Sequence, residues 1–198
     1  MNNDTLAYNL QVMTADELDK IKKSFVRAKD GCSVKVACLL TVMKYYGGTA
    51  DVQTLTEWCT VDGKQSLEGM KQAAIRSDMF AELCLQDIEQ LALRKLPISL
   101  FARNDFGEIG YAVCYGMHEG RFIVWEPDFG PMQYWPKELN TLWIKGICMT
   151  LFPNYEFMKR ANHHLKWWEL YPWSKRWKRK IDRWWEYLEV DVFPLLRR

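Results

Sequence analysis

The sequence predicts an α+β fold with two lobes, helices first and a small antiparallel sheet second, followed by a C-terminal helical extension. Three observations support this prediction. Apolar residues recur at helical spacing from residue 15 to about residue 78. Shorter β-rich runs, separated by turn residues, continue to residue 152. With 198 residues, 48% of them hydrophobic and 26% charged, the chain suits one globular domain with an appendage.

Four helices are predicted in the first lobe from their capping residues and apolar faces. Thr14 and Glu17 form a capping box, which predicts a helix over residues 15–26. A more apolar helix follows over residues 34–45 and stops at the double glycine Gly47-Gly48. The other two are a short helix from Asp51 through Trp58 and a helix that Ser66 caps and that ends near Asp78.

Strands dominate the second lobe, with two short helical turns between them. The hairpin is the clearest signal, because two β-rich runs flank a loop at residues 116–120 that contains two glycines. The expected strands cover residues 80–85, 97–102, 111–115, 121–125, 133–135 and 147–152, and the helical turns cover residues 87–93 and the segment after Pro136.

The predicted domain covers residues 1–153, and the extension covers residues 154–198. The extension holds eleven Lys and Arg against six Asp and Glu, a net charge of +5. The whole chain carries +2, which leaves −3 for the first 153 residues. Six of the ten tryptophans also lie in the extension, where helices are expected over residues 155–171 and 174–190. We therefore expect a nearly neutral domain with a basic, Trp-rich tail.

Two functions are open for this tail. Trp177, Trp184, Trp185 and Arg179 are the candidate contacts, either with the domain or a protein partner, or with an anionic membrane surface. Adjacent tryptophans cannot face the same way on one helix, which favours burial between two protein surfaces. Nucleic acid is not an expected partner, because the charge of the tail is modest and the domain is slightly acidic.

The cysteine pattern does not indicate a metal site or any other cofactor. The six cysteines include no Cys-x-x-Cys pair and have few histidines near them. Four of them lie among apolar neighbours and are predicted to be small core residues: Cys38, Cys84, Cys114 and Cys148. The N-terminus lacks the pattern of a secretory signal, and no run is apolar for long enough to span a membrane. Reduced thiols in such a chain favour a cytoplasmic location.

Several motifs recur in an order that resembles a known family. They are Phe25-Val26, Val36-Ala37-Cys38-Leu39, Tyr45-Tyr46-Gly47, Ser66-Leu67-Glu68-Gly69, the strand at Pro97-Ile98, and Glu126-Pro127-Asp128-x-Gly130. Over residues 25–153 the chain thus resembles the leader-peptide (double-glycine) cysteine peptidase domains of bacteriocin-exporting and toxin-exporting ABC transporters. The resemblance implies a papain-like fold with a cleft between a helical lobe and a sheet.

The resemblance also implies where the catalytic residues would stand. A cysteine peptidase needs a thiolate at a helix N-terminus, an imidazole to take its proton, an acid to orient the imidazole and an oxyanion donor. Matched without gaps, the nucleophile falls on Val34 and the acid before it on Ser33. The oxyanion glutamine falls on Ala28, the histidine on Gly110 and the orienting acid on Glu126. We therefore expect a catalytically degenerate form that is not an enzyme.

The implied function is that of a non-catalytic binding or assembly subunit, linked to a bacterial secretion or export system. Toxin exporters carry relatives of this kind that hold a substrate without cutting it. Tyr45, Tyr111 and Trp125 are the candidate contacts for a peptide in the old cleft. The expected partner is thus a peptide or protein, with a peripheral membrane contact through the tail left open.

Two alternatives remain open. In the first, the protein is an active cysteine peptidase or acyltransferase that uses Cys32 together with a remote histidine, either His118 or the pair His163-His164. A shift of two residues along a helix rotates a side chain by roughly 200°, which aims this thiol away from the cleft. In the second, the domain is a structural subunit, and the Trp-rich tail carries the function.

Overall fold

The computed structural model describes residues 12–29, 31–93, 97–103 and 109–161. Within these ranges the chain forms seven helices and eight strands. The helices are α1 (Ala15–Ser24), α2 (Val34–Tyr45), α3 (Val52–Cys59), α4 (Leu67–Arg76), α5 (Ile88–Ala92), α6 (Pro136–Leu142) and α7 (Tyr155–Ala161). The strands are β1 (Thr60–Val61), β2 (Lys64–Gln65), β3 (Met79–Leu85), β4 (Ile98–Arg103), β5 (Ile109–His118), β6 (Arg121–Glu126), β7 (Gly130–Tyr134) and β8 (Trp143–Pro153).

The first four helices begin where the sequence predicts, because a side chain accepts a hydrogen bond from an early backbone N–H in each. Thr14 and Glu17 form the expected capping box of α1. Ser33 caps α2 by accepting from the Val36 N–H, and Asp51 and Ser66 cap α3 and α4 in the same way.

Six strands form one antiparallel sheet in the order β3-β8-β4-β5-β6-β7. Its two faces pack against different hydrophobic clusters, as the alternation along β5 shows. Val113 and Tyr115 join the cluster that contains residues of α1 to α4, and Ala112 and Cys114 join the cluster that contains residues of α5 and α6. The sheet therefore lies between the main helices and the two short ones. The predicted α+β fold class is confirmed.

The hairpin loop between β5 and β6 is shorter in the structure than the sequence predicts. β5 continues to His118, and only Glu119 and Gly120 form the turn before β6. Gly116, with φ of 102°, lies where the register with β6 shifts between Cys114 and Met117. The glycine therefore serves a bulge within the strand, where a positive φ is needed, and does not end the strand.

The described part of the predicted extension packs on the domain. Phe157 of α7 is buried in the main cluster and lies against Gly48. Arg160 of the same helix pairs with the Asp78 carboxylate at 2.7 Å and donates to the Ser77 carbonyl. The boundary at residue 153 stays a prediction. The candidate tail contacts lie outside the described residues: Trp177, Arg179, Trp184 and Trp185.

Candidate functional site

A small pocket of about 30 Å³, partly open to solvent, lies where the start of α2 meets the sheet. Three of the five positions that the resemblance assigns to catalysis line it together, although they are far apart in the sequence: Val34, Gly110 and Glu126. Ala102, Tyr111, Ala112, Pro127, Asp128 and Phe129 complete the lining. The other two positions, Ala28 and Ser33, lie on an adjoining open surface with Cys32 and Val34.

Val34 is the first residue of α2, immediately after the cap that Ser33 provides. The N-terminus of a helix carries a partial positive charge, which would stabilise a thiolate at this position. The side chain present is a hydrocarbon, and it is half-buried. Here the helix dipole therefore acts on a group that cannot ionise.

Gly110 is the second residue of β5 and pairs with Ala102 of β4. A Cβ atom added to this glycine would meet no atom of the described residues within 4 Å. There is consequently room for a Cβ atom at the position where the resemblance expects an imidazole, and the backbone does not need glycine there.

Glu126 ends β6, and its side chain is held by the neighbouring strand. The Tyr134 hydroxyl donates a hydrogen bond of 2.6 Å to Oε1 of Glu126. This contact fixes a carboxylate at the edge of the pocket. None of the nine lining residues, all within the described part of the chain, is a cysteine or a histidine.

Trp125 anchors the segment between α1 and α2 to the sheet. Its indole Nε1–H donates to the Val26 carbonyl at 3.1 Å, and its ring stacks on Phe25 with centroids 4.0 Å apart. The Ala28 N–H donates to the Pro127 carbonyl at 3.0 Å in the same region. The Trp125 side chain is only 2% exposed, so its ring belongs to the core and does not face the pocket.

The other two aromatic candidates lie far apart, Tyr111 on β5 near the start of α2 and Tyr45 at the end of α2. Tyr111 lines the pocket, and the Lys35 ammonium lies 5.0 Å from the centre of its ring. Tyr45 is eleven residues from Val34 on the same helix, about 16 Å away at 1.5 Å per residue. It lines a separate surface depression with Lys20 and Tyr46. The structure thus brings only Tyr111 of the three to the pocket.

Phe129 is a pocket residue that the sequence did not single out. It lies in the turn between β6 and β7, and 45% of its surface is exposed. A large apolar side chain exposed beside a pocket is a common feature of binding sites. The only signal in the sequence was an aromatic residue inside a turn motif that also contains Asp128 and Gly130.

The geometry around Cys32 does not resemble an activated nucleophile. Its Sγ lies 3.8 Å from the carbonyl of Ser33, and burial raises the pKa of the thiol. His118, at the end of β5, accepts a hydrogen bond from the Met13 N–H through Nδ1. At about 3.3 Å per residue, His118 is roughly 25 Å along the strand from Gly110. The pair His163-His164 lies outside the described residues.

We expect iodoacetamide to alkylate Cys32 more slowly than it alkylates glutathione at pH 7.5. A raised pKa leaves less thiolate at neutral pH, and the rate should climb only as the pH rises through that pKa. Peptide mapping by mass spectrometry would follow Cys32 separately from the other half-buried thiol, Cys84. A rate above that of glutathione, with a plateau below pH 7, would instead favour the active-enzyme alternative.

Among the described residues, no three His, Cys, Asp or Glu side chains are grouped as metal ligands would be. None of the described helices has both the length and the hydrophobicity that a membrane crossing requires.

Residues 22–156 match the model of the peptidase C39 family. No curated protein sequence matches the chain significantly. Among solved structures, one similar protein is the peptidase domain of Streptococcus ComA, a bi-functional ABC transporter of a quorum-sensing pathway. The two chains share 20% identity with a TM-score of 0.59, and the match covers 67% of this chain and 99% of that one. The peptidase domain of Streptococcus mutans ComA is similar at 17% identity and a TM-score of 0.51, over 66% of this chain and 99% of that one.

A third similar structure is a double-glycine-motif protease from an AMS/PCAT transporter, solved in complex with the leader peptide. It has 19% identity and a TM-score of 0.54, over 65% of this chain and 89% of that one. At these identities the likeness establishes the fold, and the predicted papain-like class is confirmed. The family match covers more than half of the chain. The chain therefore belongs to the peptidase C39 family.

Proposed function

We propose that this protein is a non-catalytic member of its family, which holds a peptide in the old substrate cleft as a subunit of a bacterial secretion or export system. The observation that carries the proposal is the pocket lined by Val34, Gly110 and Glu126. Peptide hydrolysis by this family's chemistry needs a thiolate and an imidazole at the first two positions. A valine and a glycine can neither attack a carbonyl nor transfer a proton.

The pocket retains features suited to binding. Tyr111 and Phe129 offer aromatic surface, and Asp128 and Glu126 place carboxylates beside it. Apolar walls with a few fixed polar groups are typical of ligand sites. The pocket itself has room for only about 30 Å³, enough for one or two water molecules, so it suits bare backbone, and a peptide that ends in two glycines is a fitting ligand. The similar AMS/PCAT-transporter protease was solved with a leader peptide bound, which supplies the probe.

The proposal also states where the protein works and which part of the chain contacts its partner. The protein works in the cytoplasm and joins the membrane through its partner, and residues 154–198 form the extension that contacts this partner. The alternative in which the tail alone carries the function concerns residues outside the described ranges, and it stays a prediction.

Filling the pocket tests the proposal. We expect Gly110→Phe to weaken binding of a fluorescein-labelled double-glycine leader peptide at least about tenfold, which corresponds to ~1.4 kcal/mol. The melting temperature of each variant is measured as well, so that a loss of binding can be separated from a loss of folding; a Cβ at position 110 would meet no atom of the described residues within 4 Å. Fluorescence anisotropy would give the Kd values. Gln133→Phe is the matched control, since it adds the same ring to an exposed position of β7 that does not line the pocket.

Two results would contradict the proposal. Equal affinity of a well-folded Gly110→Phe variant would exclude the pocket as the peptide site. Cleavage of the peptide by the wild-type protein, abolished by Cys32→Ser, would establish the active-enzyme alternative in its place.

A further inference from the structure

Two cysteines on neighbouring strands bring their sulfur atoms into contact on the far side of the sheet from the main helices. Cys84 of β3 is paired directly with Cys148 of β8. Their Sγ atoms are 3.3 Å apart, and Sγ of Cys148 lies 3.5 Å from the carbonyl oxygen of Cys84. Both residues carry thiols in this structure.

The backbone geometry at this pair suits a disulfide. Directly opposed residues of antiparallel strands have Cα atoms about 4.5–5.5 Å apart, which lies within the range of about 4.4–6.8 Å found across disulfides. Closing the sulfur separation to about 2.0 Å takes a further movement of about 1.3 Å, which rotation of the two side chains can supply. The strands themselves need not separate.

The two thiols differ in their access to solvent. Cys148 is 1% exposed, whereas Cys84 is half-buried on β3, which is an edge strand of the sheet. A small reagent can therefore reach Cys84 first, and Cys148 stands beside it as the second thiol. A half-accessible thiol with a second thiol in contact is the arrangement of a reversible redox site.

We infer that Cys84 and Cys148 form a reversible disulfide by exchange with a low-molecular-weight disulfide such as oxidised glutathione. The Cys84 thiolate attacks one sulfur of glutathione disulfide, which forms a mixed disulfide and releases one glutathione. The Cys148 thiolate then attacks the Cys84 sulfur, which forms the intramolecular bond and releases the second glutathione. The two cysteine protons pass to the two released thiolates, so two thiols are oxidised and one disulfide is reduced.

The bond joins the edge strand covalently to the sheet. β3 exposes Phe80 at 66% and Leu85 at 72%, and an edge strand with exposed apolar residues can fray or pair with other chains. The bond also closes a long loop between residues 84 and 148, which stabilises the folded state mainly by restricting the unfolded chain. Oxidation therefore fixes β3 against β8.

The experiment uses the full chain, incubated with oxidised glutathione, alkylated with N-ethylmaleimide and examined by intact and peptide mass spectrometry. We expect the loss of two hydrogen atoms in mass, a Cys84–Cys148 linked peptide and a melting temperature raised by about 5–10 °C. Dithiothreitol should reverse all three changes. Cys84→Ser should abolish them, whereas Cys32→Ser, which removes the other half-buried thiol, should retain them.

If Cys84→Ser does not fold, measurements on the wild-type protein alone can still overturn the inference. A stable glutathione adduct on Cys84 that never resolves would show that Cys148 cannot complete the exchange. The inference would also be excluded if Cys84 and Cys148 both stayed unmodified at ratios of oxidised to reduced glutathione that oxidise ordinary protein dithiols. Peptide binding in the cleft is measured separately, so either result leaves the proposed function unaffected.

Discussion

Replacing Trp125 with alanine is expected to destabilise the domain by about 3–5 kcal/mol. The substitution removes a large side chain that is 2% exposed, together with its stacking on Phe25. It also leaves the Val26 carbonyl without the indole donor. Small domains are stable by only about 5–15 kcal/mol, so the loss would be a large fraction of the total. Guanidinium unfolding followed by far-UV circular dichroism would measure it.

Trp135 provides the matched control, because it is the same residue type in an exposed position. It is 46% exposed and contacts the Arg121 guanidinium across its ring at 4.5 Å. We expect Trp135→Ala to cost no more than about 1 kcal/mol. Trp125→Phe should fall between the two alanine variants, since it keeps a ring against Phe25 but loses the N–H donor. Equal unfolding midpoints for Trp125→Ala and Trp135→Ala would show that Trp125 does not anchor the segment before α2.

The contrast between these tryptophans shows why one part of the site could not be predicted from the sequence. Trp125 stands next to Glu126, and this position made it a candidate for peptide contact. Its actual partner, Phe25, is one hundred residues earlier in the chain, and no local pattern indicates that the two rings stack. Burial of a given aromatic residue on a strand depends on which segment crosses that strand.

Local signals, by contrast, predicted most of the helices and strands. Caps such as Thr14, Ser66 and Asp51 act on backbone groups two or three residues away, so their effect can be predicted from a short stretch. The short hairpin β1–β2 was missed, although Asp62 and Gly63 both have positive φ and form the kind of turn that joins such strands. Its strands have only two residues each, too few to show any periodicity.

The cleft could be located only through the ordered family motifs. Val34 begins a helix, Gly110 is near the start of a strand and Glu126 ends another, so no spacing rule relates the three. Their convergence on one pocket is a property of the tertiary fold. Val34 supplies a hydrocarbon, Gly110 has no side chain and Glu126 supplies a carboxylate. These three identities are the reason for proposing a binding protein within a peptidase family.

Placing a thiol at residue 34 and an imidazole at residue 110 tests whether the cleft has the catalytic arrangement that the resemblance implies. We expect Val34→Cys alone to place a thiol at the N-terminus of α2, and Val34→Cys with Gly110→His to add an imidazole across the pocket. Gly110 has open space where its Cβ would be, and Glu126 lines the same pocket. An imidazolium beside the thiolate lowers the pKa of the thiol. The double variant should therefore react with iodoacetamide about tenfold faster than Val34→Cys at pH 6.5.

The pH dependence separates pairing from simple exposure of the new thiol. In a paired site the thiolate persists below pH 7, because protonation of the imidazole keeps a positive charge beside it. The alkylation rate of the double variant should thus depend weakly on pH between about 5 and 8, whereas the rate of Val34→Cys alone should climb steeply over that range. Both variants are built on Cys32→Ser to remove the neighbouring thiol. Identical pH profiles would mean that residues 34 and 110 do not face each other as a catalytic pair would, and the proposed origin of the binding cleft would then fail.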